Sequence, residues 1–198
     1  MLPDVPQEVK RIAYLGTPEI AVPPLRALHE FGLDVPIVIT GEDKRRGRGS
    51  KVTASPVKIE SERLGIPVAH DLTALSNVHV DLGIVVAFGQ IIPSHILTKL
   101  PLVNLHFSLL PKWRGAAPVE RAILEGDEFT GVCVMKIEPT LDTGGIYRKD
   151  VIPLNSGVSL ERHEMSCVKR AQSCLLIASN QVSVCLNLKS VMPFTPIR

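Results

Sequence analysis

Short apolar blocks along the chain are separated by polar, glycine- and proline-marked segments, and they read alternately as strands and helices. Residues 11–16 form a short buried strand that ends at Gly16. Pro23 and Pro24 open a helix to about Phe31, since proline is tolerated in a first helical turn, and Gly32 stops it. A β-branched strand follows over 35–40. Ser55-Pro56 caps the next helix, with Glu60, Glu62 and Arg63 expected to face outward and Gly65 to end it. Residues 81–88 are almost continuously apolar, as a strand covered by helices on both faces should be. Another strand spans 100–107, a helix 118–124, two later strands 130–137 and 146–153, and a final helix about 160–179. This alternation predicts an α/β fold with a doubly wound, Rossmann-like and mostly parallel sheet.

The bulk properties narrow the class. With 198 residues, 45% hydrophobic and 21% charged, the chain suits one large domain with a proper core. No apolar run approaches the roughly 20 residues that span a bilayer. Residues 1–7 have neither a basic apolar signal nor an Arg-rich transit character, so a cytoplasmic location is expected. Cys133, Cys167, Cys174 and Cys185 form no C-x-x-C pair and share no ligand spacing with a histidine. Buried thiols are expected, with neither metal nor disulfide. No glycine-rich phosphate motif is present, which argues against an NTPase or a nicotinamide dehydrogenase. No heptad or large amphipathic stripe demands association, so a monomer is the expectation.

A net charge of +2 names no partner, but its distribution does. Lys44, Arg45, Arg46, Arg48 and Lys51 crowd eight positions, with Gly47 and Gly49 between them. Such a run cannot bury itself, so an exposed, mobile loop is expected. It is either merely solvated or an arm that contacts phosphates.

The densest candidate chemistry is the string Asn104-Leu105-His106-Phe107-Ser108-Leu109-Leu110-Pro111-Lys112-Trp113-Arg114-Gly115-Ala116-Ala117-Pro118. Asn104 and His106 lie two apart at the end of an apolar run, so on a strand both point to one face. A shaped loop follows, which is how open α/β sheets build sites. Asp142 comes 36 residues after His106, within Leu141-Asp142-Thr143-Gly144-Gly145. Taken singly, Asn104 and Asp142 also read as turn residues and His106 as a satisfied histidine.

The whole string resembles the signature of the folate-dependent formyltransferases. Its continuation through Trp113-Arg114-Gly115 is more similar to the methionyl-tRNA branch, as are Leu15-Gly16-Thr17-Pro18-Glu19, Gly47-Arg48-Gly49-Ser50-Lys51 and Ser55-Pro56-Val57-Lys58. These motifs cover roughly residues 10 to 150. The resemblance implies a formyltransferase catalytic domain over residues 1–179. A linker and a β-barrel domain would follow in the family; residues 180–198 do not look like that linker and are expected to be an atypical tail.

The resemblance further implies 10-formyltetrahydrofolate as the donor, with no metal. Asn104, His106 and Asp142 would be catalytic. Asn104 and His106 would donate to the formyl oxygen, and Asp142 would assist the histidine and order a water that carries a proton. Phe88, Gly89, Ile91 and Ile92 would contact the folate, and Ser108, Leu109, Leu110 and Pro111 would shape the pocket between folate and acceptor. Lys44, Arg45, Arg46, Arg48 and Lys51 would hold the acceptor stem of initiator methionyl-tRNA, Arg48 foremost. Phe107 departs from the small residue usual before the serine; its bulk either narrows the acceptor side or packs inward. Two alternatives stay open: another transferase of this fold acting on glycinamide ribonucleotide or an amino sugar, and an inactive RNA- or folate-binding remnant.

Overall fold

β-Branched and leucine-rich runs, shielded on both faces, build the centre of a seven-stranded sheet. The computed structural model describes residues 2–45, 52–154 and 158–180, with backbone alone at 45 and 173–180. In chain order the elements are β1 (Arg11–Gly16), α1 (Val22–Glu30), β2 (Asp34–Ile39), β3 (Lys44–Arg45), β4 (Val52–Thr53), α2 (Pro56–Arg63) and β5 (Val68–Ala69). They continue with β6 (Leu82–Val86), α3 (Ser94–Leu97), β7 (Leu102–His106), α4 (Pro118–Leu124), β8 (Phe129–Lys136), β9 (Ile146–Pro153) and α5 (Leu160–Asn180). The sheet order is β5-β2-β1-β6-β7-β8-β9. Pairing is parallel from β5 to β7 and antiparallel at β7–β8 and β8–β9. The architecture is the expected doubly wound α/β sheet with an antiparallel margin.

Strand alternation sorts the core into two layers. Ile12 and Tyr14 face Leu25 and Leu28 of α1, Val57 of α2 and Cys167 and Ala171 of α5. Ala13 and Leu15 face the other way, toward Leu72, Leu75, and Ile96 and Leu97 of α3. Ile12, Tyr14 and Leu15 are fully buried, and burying such a side chain contributes about 1.5–3 kcal/mol. The Tyr14 hydroxyl, fully buried in that layer, donates to the Ala21 carbonyl.

Helix ends follow local rules. Ser55 caps α2 by accepting from the Lys58 amide at 3.0 Å, with Pro56 in the first turn. Gly32 takes φ +92° after α1, a conformation that costs other residues strain.

Three expectations change or sharpen. Glu60 does not face outward: it is 6% exposed, because α1 lies across α2 and brings Arg26 over it. Its carboxylate accepts from Arg26 Nε at 2.7 Å and from Arg63 Nη2 at 2.7 Å. Those hydrogen bonds, Arg63's foremost, pull the Glu60 carboxyl down to about 2. The basic segment starts as a ribbon rather than a plain loop, with Lys44 paired to Thr53 and Arg45 to Val52. Phe107 packs inward, 6% exposed in the first core layer. Cys133 and Cys167 are buried and outside any disulfide, while the Cys174 side chain and Cys185 lie outside the described residues, as does 181–198. Among the described residues, no helix is long and apolar enough to cross a membrane, and no cluster of three or more His, Cys, Asp or Glu could hold a metal.

Strand order places the site. From β1 the chain moves outward to β2 and β5, then returns to the other side of β1 for β6 and β7. The loops leaving β1 and β6 therefore diverge at the carboxyl edge and open a crevice between them. Gly16 makes the end of β1 tight: a Cβ there would lie 2.9 Å from the Val86 carbonyl oxygen and from Ala21 Cβ.

Candidate active site

The crevice is a cleft of about 800 Å³ lined by Thr17 and Pro18 after β1, Gly41 after β2, His70 after β5, and Ala87 and Phe88 after β6. Thr17 braces both banks, donating its hydroxyl to the Phe88 carbonyl at 3.2 Å and accepting from the Gly41 amide at 3.1 Å. Ile91 also lines the cleft and is 93% exposed, an apolar side chain with no protein cover.

On the next strand, β7, Leu102 belongs to the second core layer and Val103 and Leu105 to the first. Asn104 and His106 therefore share the Leu102 face, opposite Met135 and Cys133 of β8. Two strand residues on one face stand about 6.6 Å apart along the strand, close enough to serve one small group. Asn104 is half-buried, and among the described residues its side chain makes no hydrogen bond. Its amide is free for a ligand.

His106 is buried, with acceptors at both ring nitrogens. Nε2 lies 3.0 Å from the Trp113 carbonyl oxygen. A carbonyl can only accept, so Nε2 carries hydrogen in this bond. Nδ1 faces Asp142 Oδ2 at 3.7 Å, within ion-pair range but longer than a hydrogen bond. The two side chains are only 7% and 11% exposed.

Asp142 is held by its own turn. Its Oδ2 accepts from the Gly115 amide at 2.8 Å, which ties the turn to the loop after β7. Gly144 lies directly on the backbone of Lys136, where a Cβ would collide with the Lys136 carbonyl oxygen. Lys136 also donates its amide to the Gly145 carbonyl at 2.9 Å. Gly144 in Asp-Thr-Gly-Gly is thus what lets the turn fold over the end of β8 and bring Asp142 to His106.

Strain gathers here. Among the described residues, the non-glycine residues with left-handed φ are Ala87 (47°), Trp113 (61°), Ala117 (52°) and Asp142 (48°). Each such conformation costs on the order of 1–3 kcal/mol and persists only where surrounding contacts enforce it. Ala87 flanks the cleft, and the other three belong to the two segments that meet around His106.

The remaining expected residues are distributed as follows. Phe88, Gly89 and Ile91 line the cleft, while Ile92 packs beneath against the second core layer. Ser108 is fully buried and donates to the Lys112 carbonyl at 2.7 Å, closing the loop that carries Trp113. Leu109 lies against Gly131, Leu110 packs on Cys133 and Met135, and Pro111 is exposed. Lys44 lines the cleft and the backbone of Arg45 lies in β3; Arg46, Arg48 and Lys51 lie outside the described residues. Sequence reasoning did not anticipate the Trp113 carbonyl, the Gly115 amide or the cleft residues Thr17 and His70. Main-chain contacts leave no mark in residue identity, although a Gly-Thr step closing the first strand does hint at Thr17.

The chain has known relatives. The profile of the Formyl transferase family matches residues 10–178. A protein named methionyl-tRNA formyltransferase from Prochlorococcus marinus (strain MIT 9211) is 46% identical, with 73% of this chain and 46% of that protein aligned. One of the same name from Rhodopseudomonas palustris (strain HaA2) is 43% identical, with 76% and 51% aligned. The chain spans about half the length of the curated relatives it matches. Among solved structures, phosphoribosylglycinamide formyltransferase from Bacillus halodurans superposes with a TM-score of 0.71 at 17% identity, covering 94% of this chain and all of that one. The sugar 3N-formyl transferase WlaRD superposes at 0.73 and 20% identity, covering 96% and 68%. These distant likenesses speak for the fold, and the profile match over residues 10–178 shows that the chain belongs to the Formyl transferase family.

Proposed function

We propose that this chain transfers a formyl group from 10-formyltetrahydrofolate to the α-amine of methionine on initiator tRNA, acting in the cytoplasm as a monomer. One observation carries the reading: the buried His106 faces Asp142 at 3.7 Å, on the strand face that also holds the unengaged amide of Asn104. Relatives 43–46% identical to the chain carry the name of that activity.

The reaction needs an uncharged amine to attack the formyl carbon, forming a C–N bond as an electron pair moves onto the formyl oxygen. Collapse of that intermediate breaks the bond to folate nitrogen, and the proton lost by the amine ends on that nitrogen. Asn104 supplies an uncharged N–H donor for the transient oxyanion, and His106 a second from Nδ1 when its ring is protonated, because the Nε2 hydrogen is taken by the Trp113 carbonyl; each such donor is worth roughly 2.7–4 kcal/mol at the barrier. Asp142 faces Nδ1 at 3.7 Å, so it orders the ring, and beside the pair it would hold a water through which the proton moves. Phe88 and the uncovered Ile91 give the cleft an apolar wall that fits a flat pterin, and the exposed backbone of Gly89 can approach its polar edge. Ser108, Leu109, Leu110 and Pro111 belong to the segment joining His106 to the Trp113 loop and would shape the floor between donor and acceptor. Lys44 extends from the cleft into the basic ribbon, which with Arg45, Arg46, Arg48 and Lys51 would grip the acceptor stem by its phosphates.

The test is acceptor choice. With the formyl donor present, charged initiator methionyl-tRNA should yield formylmethionine, while glycinamide ribonucleotide at equal concentration should remain unformylated. The opposite preference would overturn the reading.

A further inference from the structure

The loop that closes over His106 is fastened at a point remote from the reacting groups. Asp127, in the turn between α4 and β8, accepts from Trp113 Nε1 at 2.7 Å through Oδ2 and from Lys112 Nζ at 2.5 Å through Oδ1. Its side chain is 13% exposed, and the hydrogen bond from Lys112, then that from Trp113, holds its carboxyl below the usual range. It is therefore an ionised double acceptor at neutral pH. The cations of Lys112 and Arg121 lie over the Trp113 ring, 5.1 and 4.9 Å from its centroid. Arg121 also donates to the Arg114 carbonyl at 2.9 Å. Together these contacts fix an indole whose backbone sits at φ +61°, where a bulky residue does not stay unaided. The carbonyl of that same strained residue is the acceptor for His106 Nε2.

We propose that Asp127 is a positioning residue for His106, acting through Trp113 to hold the carbonyl that keeps hydrogen on Nε2 and leaves Nδ1 to work opposite Asp142. If the indole were released, the backbone at Trp113 would relax toward negative φ and swing its carbonyl off the ring. Nε2 would lose its acceptor, and the ring would be free to exchange tautomers or turn. The Gly115 amide, two residues on, moves with the loop, so Asp142 would loosen as well. The effect on rate rests on the proposed transfer reaction; the effect on the ring does not.

The experiment is nitrogen NMR of the full chain with labelled histidine, the His106 signals being assigned by their loss in His106→Gln. Wild type should show His106 protonated on Nε2. Asp127→Ala should average the two ring nitrogens toward a tautomer mixture, and Asp127→Asn, which keeps an oxygen for the indole, should restore the wild-type pattern. Trp113→Phe removes the indole N–H while keeping an aromatic ring beneath the two cations, and should reproduce the Asp127→Ala pattern, which covers the case in which Asp127→Ala fails to fold. In turnover, Asp127→Ala should lose roughly 10- to 100-fold in kcat with KM for the folate little changed. Folded Asp127→Ala or Trp113→Phe protein with unaltered His106 nitrogen shifts would overturn the proposal. If wild type transfers no formyl group yet the shifts respond as stated, the fault lies with the proposed reaction and the positioning role stands.

Discussion

The carboxylate of Asp142 and the imidazole of His106 face each other at 3.7 Å although 36 residues separate them along the chain. Neither is placed by the other. His106 is fixed by strand register and by the Trp113 carbonyl, and Asp142 by the Gly115 amide and by a turn that only glycine can fold against Lys136. A pair held from separate directions can stay at ion-pair distance without closing to a hydrogen bond.

Asp142→Ala should remove the carboxylate that faces Nδ1. Formyl transfer should fall by about two to three orders of magnitude in kcat, the scale seen when one preorganised polar contact to the reacting centre is lost. Folate affinity by direct titration should be close to wild type, because Phe88, Gly89 and Ile91 are untouched. Equal losses of folate binding and of rate would move Asp142 from the chemistry to the cofactor pocket.

Gly144→Ala should do the same damage indirectly. The new Cβ would strike the Lys136 carbonyl oxygen, a backbone atom in a paired strand that cannot move aside. A drop in thermal midpoint is expected together with loss of transfer. A Gly144→Ala protein as stable and active as wild type would show that the turn has a second way to seat Asp142.

The Glu60 cluster gives a pH signature for stability. Its folded carboxyl is brought down to about 2 from an ordinary 4.5, so its contribution is present in full above about 4.5 and disappears as pH falls toward 2. Arg26 and Arg63 are about half exposed, which screens the pair, so about 1–3 kcal/mol is expected at neutral pH. Urea unfolding of Glu60→Gln and wild type should differ by that amount at pH 7 and converge near pH 2. A constant difference across the range would mean that packing, not charge, is what the substitution removes.

Arg48→Ala should weaken tRNA binding and flatten the slope of log affinity against log salt by about one unit. Filter binding across a salt series measures it, and an unchanged slope would take Arg48 off the phosphates.

The sheet was legible because each strand is a dense apolar run cut by glycine or proline, and because β7 shows its working face through Asn104 and His106 alone among Leu102, Val103 and Leu105. The loop structure was less so. Glu60 has the look of a surface residue in its own helix, and only the crossing of α1, which brings Arg26 over it, buries it. Lys44 and Arg45 carry no strand propensity, and their pairing with Val52 and Thr53 is a tertiary matter. The candidate grouping could be named from its motif, but the reason that it gathers lies in backbone atoms of Trp113 and Gly115, which residue type does not encode.

The most direct measurement is single-turnover formylation by this chain of methionyl initiator tRNA with 10-formyltetrahydrofolate, run side by side with Asn104→Ala, His106→Ala and Asp142→Ala. Formylmethionine from wild type, and its fall by at least about a hundredfold in every variant that still folds, is the predicted result. Undiminished product from any of the three folded variants, or none from folded wild type, would contradict the account.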